Sequence, residues 1–333
     1  MIDFVIRWVD GNDPKWEEEF LKYSNTDNNG RDNGRDIRSN RYRDWGNLQY
    51  WFRGVEIFAP WVNNIYFVTW GHYPKWLNIN HPKLKIVKHS DYIPKEYLPT
   101  FTSRTIDLNL HRIKDLSEQF VLFDDDMFLL KPVTPSFFFK KGLPVDAAIL
   151  RMISTTGNPW FHVVLNDVVC INKNFSIKKV LLSNFFKWFN LKYGCSFLIT
   201  LVLSPSPCFP GFFNTHLPQP FLKSTFDILW EQEFDTLHKT CCSKFRNMTD
   251  INQYLVRYWQ LVSGLFIPAN PSKRGIRIAM KDSNVNFAAN TIQQKKKPLI
   301  NINDTSIIAF EESKNIIKAA FDSILPNKSA FEL

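Results

Sequence analysis

The chain has 333 residues, 44% of them hydrophobic and 22% charged, the balance of a soluble globular protein with a full core. Its formal charge of +9 suits an anionic partner, whether nucleic acid, a membrane surface or a phosphorylated substrate. The sequence carries no nucleic-acid-binding signature, such as a basic recognition helix, zinc-finger spacing or an aromatic RNA-binding motif, so no nucleic-acid partner is expected. Aromatic residues reach 15%, which fits either aromatic-rich pockets and surfaces or packing alone.

The cysteines Cys170, Cys195, Cys208, Cys241 and Cys242 are odd in number and lack metal-type spacing, so a reducing cytoplasm is the expected setting. The opening "MIDFVIRWVDG" has no basic leader and does not read as a signal peptide. No apolar run reaches the roughly 20 residues of a spanning helix. "CSFLITLVLSPSP" is too short and ends in prolines, while "FFKWFNLKYG" (185 to 194) reads either as a membrane-interface segment or as an aromatic helix end.

In chain order, "IDFVIRWVD" is rich in β-formers and is followed by the turn sequence "DGNDP". Asp10 therefore lies at a strand's C-terminal end, where open α/β sheets bind ligands. Residues 24 to 40 are polar, repeat "NGRD" and read as a loop; its Arg31, Arg35 and Arg38 either reach a phosphorylated ligand or are solvated. "NLQYWFRGVEIFAPW" has helical apolar spacing ended by Pro60. "IYFVTW" and "KLKIVKHSD" follow as strands, an alternation that predicts a mostly parallel α/β sheet.

"RTIDLNLHRI" (104 to 113) reads as one helix, with Arg104, Asp107 and His111 on a common face. "QFVLF" is a strand running into Asp124, Asp125 and Asp126. Three adjacent carboxylates inside an apolar run repel one another and lose hydration unless something positive faces them. "VDAAIL" is expected to be a further strand. In "THLPQPFL" two prolines flank one residue, so irregular structure is expected there, with His216 in a rigid turn. "DINQYLVRYWQLV" reads as a helix capped by Asp250 and Gln253. The tail holds "KKKPLININDTS" and a helical "EESKNIIKAAFDSIL", and its last residues look dispensable.

A carboxylate cluster at a strand end is suited to holding Mg²⁺ or Mn²⁺ against a diphosphate, since hard cations take oxygen ligands and leave positions open for phosphate. Four segments then resemble the four conserved regions of the Stealth family: residues 2 to 16, 41 to 133, 216 to 261 and 298 to 305. This family of hexose-1-phosphate transferases includes bacterial capsular polysaccharide phosphotransferases and the catalytic part of the lysosomal-enzyme N-acetylglucosamine-1-phosphotransferase. The chain departs from the usual pattern in "RWVDGNDP" for "TWVDGSDP", in the Asp triplet for "NDD", and in "RYRDWGNL" for "RFRDNGEL".

The resemblance implies a UDP-sugar donor, such as a UDP-N-acetylhexosamine, and a glycan or lipid-linked glycan acceptor. The acceptor hydroxyl would attack the β-phosphorus, with UMP leaving and a phosphodiester formed. It implies an α/β fold with a mostly parallel Rossmann-like or glycosyltransferase-A-like sheet flanked by helices. Residues 1–151 would form the nucleotide-sugar and metal part, and an aromatic-rich, helical 152–333 would complete the same catalytic domain. His216 is cast as general base, beside Asp10, Arg246 and Asp304 as catalytic residues. Asp125, Asp126 and Asp304 are the expected metal ligands, with Asp124 ranked lower. Arg43, Asp44, Arg53, Arg104, His111 and Asn303 are the expected substrate contacts, with His111 as competing base. Two rivals remain, a metal-dependent glycosyltransferase releasing UDP and a non-enzymatic glycan- or nucleic-acid-binding module. Peripheral attachment through residues 185 to 203 at the inner face of the cell membrane is expected.

Overall fold

The structure is a computed structural model; it describes residues 1–25, 44–154 and 160–333. Its strands, in chain order, are β1 (Ile2–Arg7), β2 (Ile65–Thr69), β3 (Leu84–Lys88), β4 (Gln119–Phe123), β5 (Met127–Leu129), β6 (Phe139–Lys140), β7 (Leu143–Asp146), β8 (Gln219–Leu222), β9 (Ile267–Pro268), β10 (Gly275–Lys281) and β11 (Leu299–Ser306). The main sheet has the order β3-β2-β1-β4-β8. Its first four strands are parallel, and β8 closes one edge antiparallel to β4.

Strands at the middle of such a sheet are covered on both faces, which is why β1, β2 and β4 are nearly continuous apolar runs. Alternation divides them between two cores. Phe4, Ile6, Phe67, Val121 and Phe123 face the helix Leu48–Phe58, the helix Phe310–Ile324 and the small sheet β10-β11-β5. Val5, Tyr66, Val68, Phe120 and Leu122 face the helices Trp160–Asn174, Lys223–Gln232 and Tyr254–Val262. The α/β fold with a mostly parallel sheet is thus observed. The C-terminal half enters the architecture directly, through β8 on β4 and β11 on β5.

Several local expectations fail for identifiable reasons. "THLPQPFL" is not wholly irregular, since Gln219–Leu222 forms β8 with Pro220 opposite Val121. An edge strand bonds on one side only, so a proline can sit where no donor is required. Of "VDAAIL" only Val145 and Asp146 are in a named strand, as the end of β7, which pairs with β6 and β9. "RTIDLNLHRI" is broken at Asn109 into a helix Ser103–Leu108 and a 3₁₀ turn Leu110–Arg112. The Asn109 amide donates to Thr105 O at 2.8 Å and its carbonyl accepts from Arg112 Nε at 3.0 Å, an alternative to continued helix. Asp250 and Gln253 do not cap the following helix. Asn252 Oδ1 accepts the Tyr254 N–H at 2.8 Å, and Asp250 is taken by Arg104.

The C-terminal residues are also not dispensable. Phe331 is buried against Phe52 and His81, and the Leu333 N–H donates to Trp76 O at 2.8 Å. Glu332 receives both arms of the Arg53 fork at 2.8 Å, while Arg53 Nη1 donates to Leu325 O. Replacing Phe331 with Ala removes a buried ring from this lock and should lower unfolding stability by about 3 kcal/mol. Urea denaturation followed by tryptophan fluorescence measures it, and an unchanged midpoint would make the tail an ornament after all.

Candidate active site

The register that pairs Ile6 with Phe123 brings Arg7, the last residue of β1, level with Asp124, the first residue beyond β4. Arg7 donates to Asp124 and, at 2.7 Å, to Asp107 Oδ2 from the helix Ser103–Leu108. Asp124 opens a turn closed by the Met127 N–H on Asp124 O at 3.2 Å. That turn exposes Asp125 and directs Asp124 and Asp126 inward, where one ligand atom each from Asp124, Asp126 and His216 lie within 4.8 Å of one another. His216, just ahead of β8, reaches this end because β8 runs antiparallel to β4. Its backbone sits at φ +50°, a left-handed conformation uncommon for a side-chain-bearing residue, and its Nδ1 lies 3.3 Å from the Tyr254 hydroxyl.

The small sheet delivers the remaining polar groups. The Ile302 N–H donates to Asp126 O at 2.8 Å, and Asn303 Nδ2 approaches Asp126 Oδ2 at 3.4 Å. Asp304 accepts from Trp45 Nε1 at 3.1 Å. Asp126 Oδ1 is buried and has no hydrogen-bond partner among the described residues. Beside the cluster, a cavity of about 370 Å³ is lined by Trp8, Asp10, Asp44, His72, Tyr73 and Trp76, among others. The Asp10 N–H donates to His72 Nε2 at 2.8 Å and Asp10 Oδ1 accepts from Asn12 N at 2.9 Å.

Charge is distributed unevenly across these groups. Burial pushes Asp107 up to about 7 even though Arg7 opposes the shift. Burial acts in the same direction on Asp124, but Arg7 and His216 outweigh it and hold that carboxyl below its usual range. Asp126 is raised well above the ordinary value, by burial first and then by the charges of Asp124 and Asp125. Burial lowers His216, with Arg277 and Arg7 adding to the effect and Asp124 opposing it, so the imidazole is neutral at pH 7. A neutral imidazole accepts protons, and a partnerless buried carboxylate oxygen asks for a cation.

The expected residues therefore divide into groups. Asp126 and His216 meet in one cluster; Asp124, ranked lower by sequence, belongs to it, whereas Asp125 points outward. Arg246 bonds Ser103 Oγ at 3.2 Å and its charge reaches Asp107 and Asp124. Asp10 and Asp44 line the neighbouring cavity, and Asn303 and Asp304 lie on β11. Three expected substrate contacts are elsewhere. Arg53 is committed to Glu332, Arg104 to Asn247 O and Asp250 at 2.6 Å each, and His111 is buried against the rings of Phe226 and Trp230. Arg43, like Arg31, Arg35 and Arg38, lies outside the described residues. Sequence reasoning missed Arg7, Asp107 as its partner, His72, Tyr254 and Arg277. A cation ending a central strand whose middle, Phe4 to Ile6, is wholly apolar is the one signal available for Arg7.

Residues 41–145 match the model of Stealth protein CR2, conserved region 2. A capsular polysaccharide phosphotransferase of Streptococcus pneumoniae is 45% identical over 336 residues, covering 99% of this chain and 98% of the relative. A receptor polysaccharide phosphotransferase of Streptococcus gordonii is 41% identical, covering 100% and 99%, and an exopolysaccharide phosphotransferase of Lactiplantibacillus plantarum is 38% identical, covering 99% and 96%. Among solved structures, the galactosyltransferase LgtC with donor and acceptor sugar analogues aligns at TM-score 0.39 and 10% identity over 95% of each chain. The chain belongs to the Stealth family and is a transferase, which sets aside the reading as a non-enzymatic binding module.

Two outcomes follow from the burial of these charges. Arg7→Met leaves Asp124 and Asp107 facing each other without their cation and should lose about 3–5 kcal/mol of stability, read by denaturant titration. His111 is pushed down to about 3 by burial, so below about pH 6.5 the unfolded chain takes up a proton that the folded chain refuses. Stability contributed by the neutral ring is then lost as pH falls, so the melting temperature of His111→Phe relative to the parent should rise from pH 7 to pH 4. A constant difference across that range would mean the ring is not held neutral.

Proposed function

We propose that this transferase moves a sugar-1-phosphate from a UDP-sugar, such as a UDP-N-acetylhexosamine, to a hydroxyl of a glycan or lipid-linked glycan, releasing UMP, in the synthesis of a surface polysaccharide. The observation that carries this reading is the meeting of Asp124, Asp126 and His216 under the charge of Arg7, in a chain whose full-length relatives are named polysaccharide phosphotransferases. In-line phosphoryl transfer requires charge neutralisation, alignment and a proton acceptor more than it requires covalent chemistry from the protein.

Each requirement has a candidate. His216, neutral and backed by the Tyr254 hydroxyl, accepts the proton of the attacking acceptor hydroxyl. Asp124 and Asp126 would hold Mg²⁺ or Mn²⁺, a fit supported by their oxygen donors and by the partnerless Asp126 Oδ1; Asp304 and the exposed Asp125 stand second in that role. When bound, the ion supplies charge neutralisation for the donor diphosphate. Arg246 and Arg277 bring guanidinium charge toward the same groups, Arg277 from an exposed position on β10. The aromatic and acidic cavity beside Asp10 and Asp44 is the seat we assign to the donor nucleoside.

The acceptor oxygen forms a bond to the β-phosphorus while the bond from that phosphorus to the UMP oxygen breaks. The sugar C1–O bond stays intact. In this reading residues 1–151 supply the donor side, residues 152–333 supply His216, Arg246 and Asp304, and the enzyme works in the cytoplasm.

Incubating the protein with Mg²⁺ or Mn²⁺, a panel of UDP-sugars and a glycan acceptor, then identifying the nucleotide by chromatography, tests the reading. UMP is expected, with turnover reduced about 10²–10⁴-fold in His216→Ala and in Asp126→Asn at unchanged melting temperature. UDP would show that C1 had been cut and turn the reading to glycosyl transfer.

A further inference from the structure

The segment from Val168 to Phe226 contains six lysines and not one Asp, Glu or Arg. Three of the lysines are engaged: Lys173 with Glu233, Lys187 with Gly264 O, and Lys223 with the carbonyls of Ile113 and Leu116. Lys178, Lys179 and Lys192 are exposed, and their ammonium groups make no hydrogen bond or ion pair among the described residues. The same segment carries an unusual density of exposed apolar side chains on consecutive short helices, Ile177–Ser183, Phe185–Trp188 and Ser196–Leu203. Leu182, Phe186, Leu191 and Val202 are between 76% and 84% exposed.

These exposures do not arise from loose packing, because the inner faces of the same elements are anchored. Val180, Leu181 and Trp188 are buried in the core, Tyr193 donates to Lys187 O and accepts the Ala148 N–H, and Thr200 accepts the Leu150 N–H at 3.1 Å. With those positions turned inward, helical geometry turns the apolar positions outward. Within Ile177–Ser183, Lys178 and Lys179 lie four and three residues before Leu182 and so share its side of the helix.

We infer that this face is a docking surface for an anionic lipid bilayer, on which the helices lie without crossing. Outward Phe, Leu and Val side chains enter the boundary between headgroups and acyl chains, while lysines beside them meet the lipid phosphates. Charge complementarity selects this occupant. A second copy of the chain would set lysines against lysines across a two-fold axis, with no acidic residue in the segment to receive them. No helix of the described residues is long and apolar enough to cross a membrane, so lying on the surface is the geometry these elements allow. The inference is independent of the donor and acceptor proposed above.

The test is flotation of the full chain with phosphatidylcholine vesicles, with and without phosphatidylglycerol, beside a Leu182→Asp, Phe186→Asp, Val202→Asp triple variant and a Lys178→Glu, Lys179→Glu double variant. All five positions are exposed, so both variants should fold and keep the parent's melting temperature. The parent is expected to float with anionic vesicles and to release in high salt. The triple variant should bind ~10-fold more weakly or worse, and the double variant should lose its preference for phosphatidylglycerol. The inference is overturned if the parent fails to float, or if the triple variant floats like the parent. It is also overturned if size-exclusion chromatography shows a dimer that the triple variant dissolves, since the face would then belong to a second copy. Because flotation needs no substrate, its failure leaves the nucleotide-release result untouched, and the reverse also holds.

Discussion

The guanidinium of Arg7 is largely enclosed at the end of the central strand, between Asp107 and Asp124, and the rest of the site is arranged around that ion group. A buried charge is tolerated only when its partners are close and well oriented. Here the parallel register of β1 and β4 supplies one partner and the helix Ser103–Leu108 supplies the other. The two carboxylates are treated differently by the same cation. Asp107, wholly enclosed, is drawn toward its neutral form, while Asp124 is held ionised. The anion that faces His216 is therefore kept in place without requiring every acid in the neighbourhood to be charged. With Asp124 negative, Asp126 is pushed toward protonation unless a further positive charge arrives.

What the sequence made legible follows from how local each signal is. The strands β1, β2, β3 and β4 and the helix Leu48–Phe58 announce themselves because burial on two faces or on one stripe dictates composition residue by residue. His216 was singled out because Pro218 and Pro220 limit the backbone around it, and the structure does hold it at positive φ. The failures lie where a partner distant in sequence decides. Arg53 and Arg104 look like phosphate contacts in isolation, yet each has a carboxylate elsewhere in the chain, Glu332 and Asp250. Sequence ranks Asp125 above Asp124 as a ligand, and only the turn geometry reverses that order by directing Asp124 inward and leaving Asp125 exposed. β8 was hidden by its prolines because an edge strand's one-sided bonding is a property of the whole sheet.

The site draws on both halves of the chain in a way that constrains its motion. Asp124 and Asp126 hang on the β4–β5 turn, and that turn is braced by β11 through the Ile302 N–H and the antiparallel pairing of β5. His216 is braced separately, by β8 on β4 and by Tyr254 on a fully buried helix. Left-handed backbone at a residue with a side chain costs of order 1 kcal/mol and persists only where the surroundings over-determine it. Here the strand pairing after His216 and the aromatic packing behind Tyr254 provide that determination. A proton acceptor fixed in this way loses little freedom when an acceptor hydroxyl arrives.

The chain's +9 charge can now be assigned by place. Its centre is acidic, with Arg7 balancing part of that acidity internally, so the excess of positive charge is not simply a trap for a phosphorylated substrate. A distinct share of it lies on the acid-free stretch that carries the exposed leucines and phenylalanines. That stretch runs on, through Phe209 and Phe212 packed against Trp188 and Tyr258, into the turn that bears His216. If the face rests on lipid, the proton acceptor is joined to the membrane seat by a short, well-packed segment rather than by a linker. The reach of the site above the bilayer would then be fixed by the fold itself, which restricts the acceptors it can serve to those presented at that height.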